Sequence, residues 1–373
     1  MADYLYIHVP FCARKCFYCD FASFPFEEQE ARSYTDALCR ELAIKKNQAG
    51  ELKTVYIGGG TPSLMPDRFF RDLFSCLRDN FSLSAAPEIT VEANPGTLTE
   101  AKLGLLLRGG VNRLSIGIQS FQDTELKALG RIHNAKEAAA AVEAAQKTGF
   151  TNISLDLMYG IPGQTIASWQ ETLKRAENLR PAHISAYELT PEKGTPLFGL
   201  LEEEKIRLPE EGVVLGMYDC VIDYLSAHGY AQYEISNFSQ PGYGCRHNIN
   251  YWDRGEYLAA GAAAHSFVAG RRSRNTASIP AYIEKLLTGI LPEEESTEVP
   301  EAEAKRERLF LGLRKTEGIS VVNSHDEPDL VRAAAGLIKE GYLELSGDRL
   351  RLTRKGTVLS NTVIVSLFEN LGL

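Results

Sequence analysis

Positive charge is in short supply in this chain. Forty Lys and Arg stand against forty-nine Asp and Glu, a formal net charge of −9, which excludes a general basic field for nucleic acid or an anionic membrane and leaves only local contacts. Long hydrophobic runs are lacking too. No stretch approaches the roughly 18 apolar residues a spanning helix needs, and the opening Met-Ala-Asp-Tyr carries neither a charged n-region nor an apolar signal core, so a cytoplasmic protein is expected. Cysteine is scarce in pairs. Of seven, an odd count, Cys39, Cys76 and Cys220 sit singly in helix-like patterns as small buried side chains, which argues against a disulfide framework.

What is present is a chain of 373 residues, 44% hydrophobic and 24% charged, enough for one large core or two domains. Short β-rich segments alternate with amphipathic helical ones: "YLYIHVP", "KTVYIGG", "EITVEAN", "NRLSIGIQ", "NISLDLMYG" and "HISAYEL", six candidate strands. Helices are expected over Glu28 to Lys46, Asp67 to Asn80, Thr99 to Arg108, Ala135 to Thr148, Ile166 to Asn178 and Glu210 to His228. Such alternation predicts parallel strands with right-handed crossovers, in either a doubly wound sheet or a full or partial barrel. Polar residues cluster at strand ends: Gly58 to Thr61, Glu92 and Asn94, Gln119, Asp156. A barrel would bring them to one mouth.

Beyond residue 228 the pattern changes at "GYAQYEISNFSQPGYGCRHNINYW", rich in turn formers and tyrosine, and a loop-rich region is expected. The acidic "LPEEESTEVPEAEAKRER" reads as a solvated linker entering a helix. Then "DLVRAAAGLIKEGYLELSGDRLRLTRKG" reads as helix, strand, turn and strand, resembling a small winged-helix module. Arg349, Arg351, Arg354 and Lys355 fit a solvated strand face there, and without a basic recognition helix no nucleic acid is expected.

The chemistry concentrates in "FCARKCFYCDF", where Cys12, Cys16 and Cys19 follow the first strand. Thiolates at this spacing suit an iron-sulfur cluster or zinc, with unrelated thiols a third option. Structural zinc wants four closed ligands, whereas a four-iron cluster tolerates three cysteines and leaves one iron open to an outside ligand.

"CARKCFYC" together with "GGGTPSL" resembles the radical S-adenosylmethionine (SAM) enzymes. Within them, "YIHVPFC", "TVEANP", "SIGIQSF", "LGRIH", "LDLMYGIPGQT" and "ELTPEKGTP" resemble, in order, the branch that holds the oxygen-independent coproporphyrinogen III dehydrogenases and the HemW-type haem chaperones. The resemblance implies an α/β fold, a partial barrel of six strand-helix units plus a C-terminal helical domain. Together with the pattern changes above, the expected division is a barrel over 1–235, a loop-rich connection over 236–295 and a C-terminal winged-helix-like domain over 296–373. It implies a [4Fe-4S] cluster on Cys12, Cys16 and Cys19, with SAM on the open iron. Tyr6, Gly58, Gly59, Thr61, Glu92, Gln119, Arg131 and Asp156 match positions around SAM, and Tyr18 flanks the adenine. Glu92 suits an ammonium, Arg131 a carboxylate and Asp156 ribose hydroxyls. The family's chemistry is one-electron reduction of SAM, releasing a 5′-deoxyadenosyl radical.

Two departures bear on function. The dehydrogenases carry a further cysteine where Phe21 stands, and a longer segment before Tyr6, which only five residues precede here; both argue against that activity. "CRHNINYW" instead carries the His-Asn-x-x-Tyr-Trp pattern of the chaperones, so the resemblance implies haem on His247, with Tyr251 nearby. His8 is expected to face the barrel interior or support the cysteine loop. The resulting expectation is a haem carrier that serves haem-accepting proteins such as respiratory enzymes, takes electrons from a one-electron donor, is compatible with a homodimer, and works in the cytoplasm or at the inner membrane face. The dehydrogenase, and a structural zinc or winged-helix regulatory protein, stand as alternatives.

Overall fold

The computed structural model describes residues 1–322 and 327–373. Strand β1 (Ala2–Val9) leads into the cysteine loop, which a short parallel pair, β2 (Phe11–Cys12) and β3 (Phe24–Pro25), closes at its base. There follow α1 (Glu28–Lys45), β4 (Ala49–Gly59), α2 (Asp67–Asn80), β5 (Leu83–Ala93), α3 (Glu100–Arg108) and β6 (Arg113–Gln119). Next come α4 (Asp123–Ala128), α5 (Ala135–Thr148), β7 (Asn152–Tyr159), α6 (Ile166–Asn178) and β8 (His183–Glu188). The six strands read from the sequence pair in parallel and in order.

Local chemistry explains the helix bounds. Asn134 and Glu137 form a reciprocal capping box at the start of α5, and Thr165 and Ser168 do the same for α6, each satisfying end N–H groups that the helix cannot. On α2, Phe69, Phe70, Leu73, Phe74 and Leu77 recur at helical spacing and are all buried, the stripe that seats a helix on a sheet.

The large sheet has nine strands, not six. After α7 (Pro196–Glu202) and α8 (Glu211–Ala227), strands β9 (Ala231–Glu234) and β10 (Asn237–Ser239) extend it antiparallel beyond β8. Helix α9 (Arg246–Trp252) then returns the chain to β11 (Leu258–Ala260), which lies parallel to β1 at the opposite edge. Residues 236–295, expected to be loop-rich, thus complete the sheet. These strands are three or four residues long, too short for alternation to show.

A buried hub fixes the return. Glu41 on α1 pairs with Lys45 at 2.5 Å and accepts hydrogen bonds from Gly261 N at 2.8 Å, Asn275 Nδ2 at 2.7 Å and Tyr282 Oη at 2.5 Å. Lys45 Nζ also donates to Ala259 O at 2.9 Å. A buried carboxylate is tolerated when paired and hydrogen-bonded in this way.

The acidic stretch expected to be a linker is likewise ordered. Strands β12 (His265–Val268), β13 (Arg271–Asn275) and, after α10 (Ile279–Leu287), β14 (Glu293–Glu298) form an antiparallel sheet. All six residues of β14 are exposed, so no apolar alternation marks the strand; its charges face arginines instead, with Arg274 and Glu295 2.6 Å apart.

The C-terminal module contains α11 (Glu301–Gly312), β15 (Ile319–Ser320), α12 (Glu327–Lys339), β16 (Leu343–Ser346), β17 (Arg349–Leu352), α13 (Arg354–Val358) and α14 (Ser360–Leu371). The helix-strand-turn-strand reading of this region is present, with β15 as a third strand. Its core, including Leu313, Ala334, Leu350, Ile364 and Leu367, is separate from the main one.

Candidate functional site

The C-terminal ends of the six parallel strands converge, and a pocket of about 390 Å³ opens there. Cys12, Cys16 and Cys19 line it together. Several contacts hold their loop: Phe17 N donates to Leu129 O at 3.0 Å, Arg14 Nη2 donates to Gly130 O at 2.7 Å, and His8 Nε2 shares a hydrogen bond with Ala22 O at 3.0 Å. His8 therefore supports the loop, one of its two expected roles. Phe17 and Tyr18 pack on a small core of Leu129, Met158, Ile161, Leu189 and Leu197.

Two side-chain donors reach the thiols among the described residues. Thr61 Oγ1 donates to Cys12 Sγ at 3.5 Å, and Arg131 Nη1 donates to Cys16 Sγ at 3.4 Å. Gly59 takes φ +118°, a conformation open to glycine, and a Cβ on Gly60 would stand 2.6 Å from Phe11 O and 3.0 Å from Cys12 Sγ. The bare backbone is thus required for close approach of strand end and cysteine loop. Among the described residues no three His, Cys, Asp or Glu side chains close on one ion-sized position. Three thiols spread along one pocket wall fit a cluster, which is a larger body than one ion.

Two carboxylates line the same pocket. Glu92 accepts from Tyr56 Oη at 2.8 Å and Gly59 N at 2.9 Å, and burial pushes its pKa up to about 7 against the pull of those donors. Asp156 faces Ser115 Oγ at 3.1 and 3.0 Å; burial pushes its carboxyl up, while the Ser185 hydroxyl and the Arg113 guanidinium favour the charged form. Gln119 is held at φ +66°, a strained region for a side-chain-bearing residue. Arg131 is anchored by Asn94 Oδ1 at 2.6 Å and Gly117 O at 2.5 Å, and its Nε is buried without a partner.

The pocket gathers Tyr18, Gly59, Thr61, Glu92, Gln119, Arg131 and Asp156 as well as the cysteines. Gly58 sits just behind, where a Cβ would come within 3.0 Å of the Glu92 carboxylate. Tyr6 is not among the residues that line the pocket. It lies opposite Tyr56, which does, in the pairing of β1 with β4, stacks on it at 6.1 Å and shares a hydrogen bond with His8 Nδ1 at 3.0 Å. Sequence reading missed Arg113, Ser115, Ser185 and Tyr187, which also line the pocket, as does Asn248 of the His-Asn-x-x-Tyr-Trp pattern. The alternation of Arg113, Ser115, Gly117 and Gln119 along β6 was the available signal.

His247 and Tyr251 lie away from the pocket. The imidazole is buried, its Nδ1 2.6 Å from Thr54 Oγ1 and its Nε2 2.9 Å from Tyr251 Oη. Burial, reinforced by the charge of Arg113, lowers its pKa to about 3. Both ring nitrogens are thus hydrogen-bonded to hydroxyl groups. Glu88 on β5 accepts from Arg246 N at 3.0 Å and His247 N at 3.1 Å, tying the start of α9 to the strand that carries Glu92.

Residues 6–176 match the Radical SAM superfamily and residues 299–359 the HemN C-terminal domain. Over 370 residues the chain is 36% identical to the heme chaperone HemW of Bacillus subtilis (strain 168), covering 96% of this chain and 97% of the relative. The chain belongs to the HemW family of radical SAM proteins. Its likeness to the HemW of Escherichia coli (strain K12) is 36% over 372 residues, covering 96% of each. Among solved structures, coproporphyrinogen III oxidase (HemN) from Escherichia coli superposes with a TM-score of 0.84 at 22% identity, covering 97% of this chain and 89% of that one. The likeness to that solved structure runs over both the barrel region and the C-terminal module of this chain.

Proposed function

We propose that this protein is a haem carrier, built on a cluster- and SAM-binding barrel, that passes haem to haem-accepting proteins. Similarity across nearly the whole chain to proteins named heme chaperone HemW carries this reading. The site supports it from the side of the residues.

Cys12, Cys16 and Cys19 would hold the cluster, with Thr61 and Arg131 donating to the sulfurs. A charge-assisted donor at a cluster sulfur stabilises added electron density and so raises the potential. A reduced four-iron cluster supplies one electron to a sulfonium ligand. Glu92 is positioned to accept from an ammonium group and Asp156 from hydroxyls, each carboxylate pre-oriented by the donors described above. Tyr18 presents an aromatic wall for a base. Tyr6, His247 and Tyr251 act as the layer that holds Tyr56 and Glu92 in place.

The test is a haem titration of anaerobically purified, cluster-loaded protein followed by the Soret band, with transfer to an apo haem enzyme as the second step. Saturable binding and transfer are expected. Absence of saturable binding in the wild type overturns the reading.

A further inference from the structure

A second cleft, of about 480 Å³, opens between the end of α9 and the C-terminal module, within the usual size of a small-molecule site. Trp252, Leu309, Ile319, Leu330 and Leu371 give it apolar walls. Gly312 and Gly318 also line it, and neither has room for a side chain: a Cβ on Gly312 would meet Ile319 Cγ2 at 2.3 Å, and one on Gly318 would meet Leu350 O at 2.2 Å.

Basic side chains gather there in a chain of net charge −9. Among the described residues Lys305, Arg308, Lys315 and Arg349 line the cleft together with Asp253, and Lys315 is paired with Asp253 and, at 2.8 Å, with Glu317. Arg308 pairs with Glu301 at 2.5 Å, and Arg349 lies 3.6 Å from Glu317 and donates to Gly318 O at 3.1 Å. A guanidinium has five donors, so each keeps N–H groups for a further carboxylate. Trp252 Nε1 is buried without an acceptor. Arg314 lies over the Trp252 ring at 5.2 Å and holds the indole in place.

We infer that this cleft binds a planar tetrapyrrole with two carboxylates, its disc against Trp252 and the aliphatic wall and its carboxylates on Arg308 and Arg349. The inference rests on the haem-carrier reading and assigns the cargo a site separate from the cluster pocket. The apolar wall and the guanidinium groups of the cleft recognise the ring and the carboxylates of the cargo, so a metal-free ring should enter it as well.

Helix α9 links the two sites. Asn248 lines the cluster pocket and Trp252 the second cleft, four residues and about 6 Å of helix rise apart.

The experiment compares haem and metal-free protoporphyrin, titrated into full-length cluster-loaded wild type, Arg308→Glu/Arg349→Glu, Trp252→Phe and His247→Ala proteins. Both reversed arginines are solvent-accessible, at 51% and 37%, and melting curves together with iron and sulfide content check that each variant stays folded and loaded. Both porphyrins are expected to bind the wild type, to quench its tryptophan fluorescence, and to bind the double variant at least tenfold more weakly. In Trp252→Phe the quench should shrink, because Trp169 lies in the main core. Equal haem affinity in the double variant and the wild type overturns the inference, as does failure of the metal-free ring to bind. Loss of haem binding in His247→Ala alone moves the cargo to α9 and overturns the cleft while sparing the carrier reading. No haem binding by the wild type overturns both.

Discussion

Tyr56 donates its hydroxyl to Glu92 Oε1 at 2.8 Å while its ring stacks on His247 at 5.1 Å. One side chain thus joins the cluster pocket to the helix that carries the His-Asn-x-x-Tyr-Trp pattern. The carboxylate on one side titrates high and the imidazole on the other titrates low, both because charge is disfavoured in this buried layer. Opposite pH dependences follow.

Glu92 has a folded pKa of about 7 against 4.5 for the free side chain. A raised carboxyl pKa means that the folded state holds the proton longer, so its contribution to stability is full below pH 4.5 and is lost as pH rises through about 7. Glu92→Gln should remove this component. The melting temperature of ligand-free wild type relative to the variant should fall from about pH 5 to about pH 8. SAM, whose ammonium wants the ionised carboxylate, should bind the wild type more tightly above neutrality than below it, and calorimetry at both pH values checks this.

For His247 the sign is the other way. Its folded pKa of about 3 lies below the ordinary 6.5, so the stability from keeping it neutral is full above pH 6.5 and is lost as pH falls toward 3. His247→Ala leaves the Thr54 and Tyr251 hydroxyls without their shared partner and should cost about 1–3 kcal/mol at neutral pH. Denaturant unfolding should show the variant closing on the wild type as the solution is acidified. A constant gap across that range would contradict a buried neutral imidazole.

Gly60→Ala places a methyl group 2.6 Å from Phe11 O and 3.0 Å from Cys12 Sγ. The strand end and the cysteine loop must separate, so iron and sulfide should drop well below the roughly four each per chain expected of a full cluster. Circular dichroism should remain that of a folded protein, because the main core lies behind the loop. Full cluster content in the variant would show that the loop is more compliant than its contacts suggest.

Elements that bury a wide apolar face were legible. The six parallel strands and the helices on them follow strict spacing, and α2, α5 and α6 begin and end where capping residues and the apolar stripe place them. The pocket was legible where residue type and strand end coincide, as for Cys12, Cys16, Cys19, Glu92 and Asp156. Strands β9 to β11 were not, because three or four residues carry no period, and β14 was not, because an edge strand held by Arg-Glu pairs has no hydrophobic side to read.

The sequence by itself determined the strand-helix repeat, the family and the thiols and carboxylates that meet in the pocket, since each depends on residue type at fixed spacing along the chain. Only the tertiary structure decided that Tyr6 and His247 both stack on Tyr56, that α9 spans from the cluster side to a basic apolar cleft, and that Glu41 on α1 receives the returning chain at Gly261. These are matters of which side chains meet between distant parts of the chain. Burial and hydrogen-bond satisfaction at those meetings are settled by packing in three dimensions, and local spacing carries no record of it.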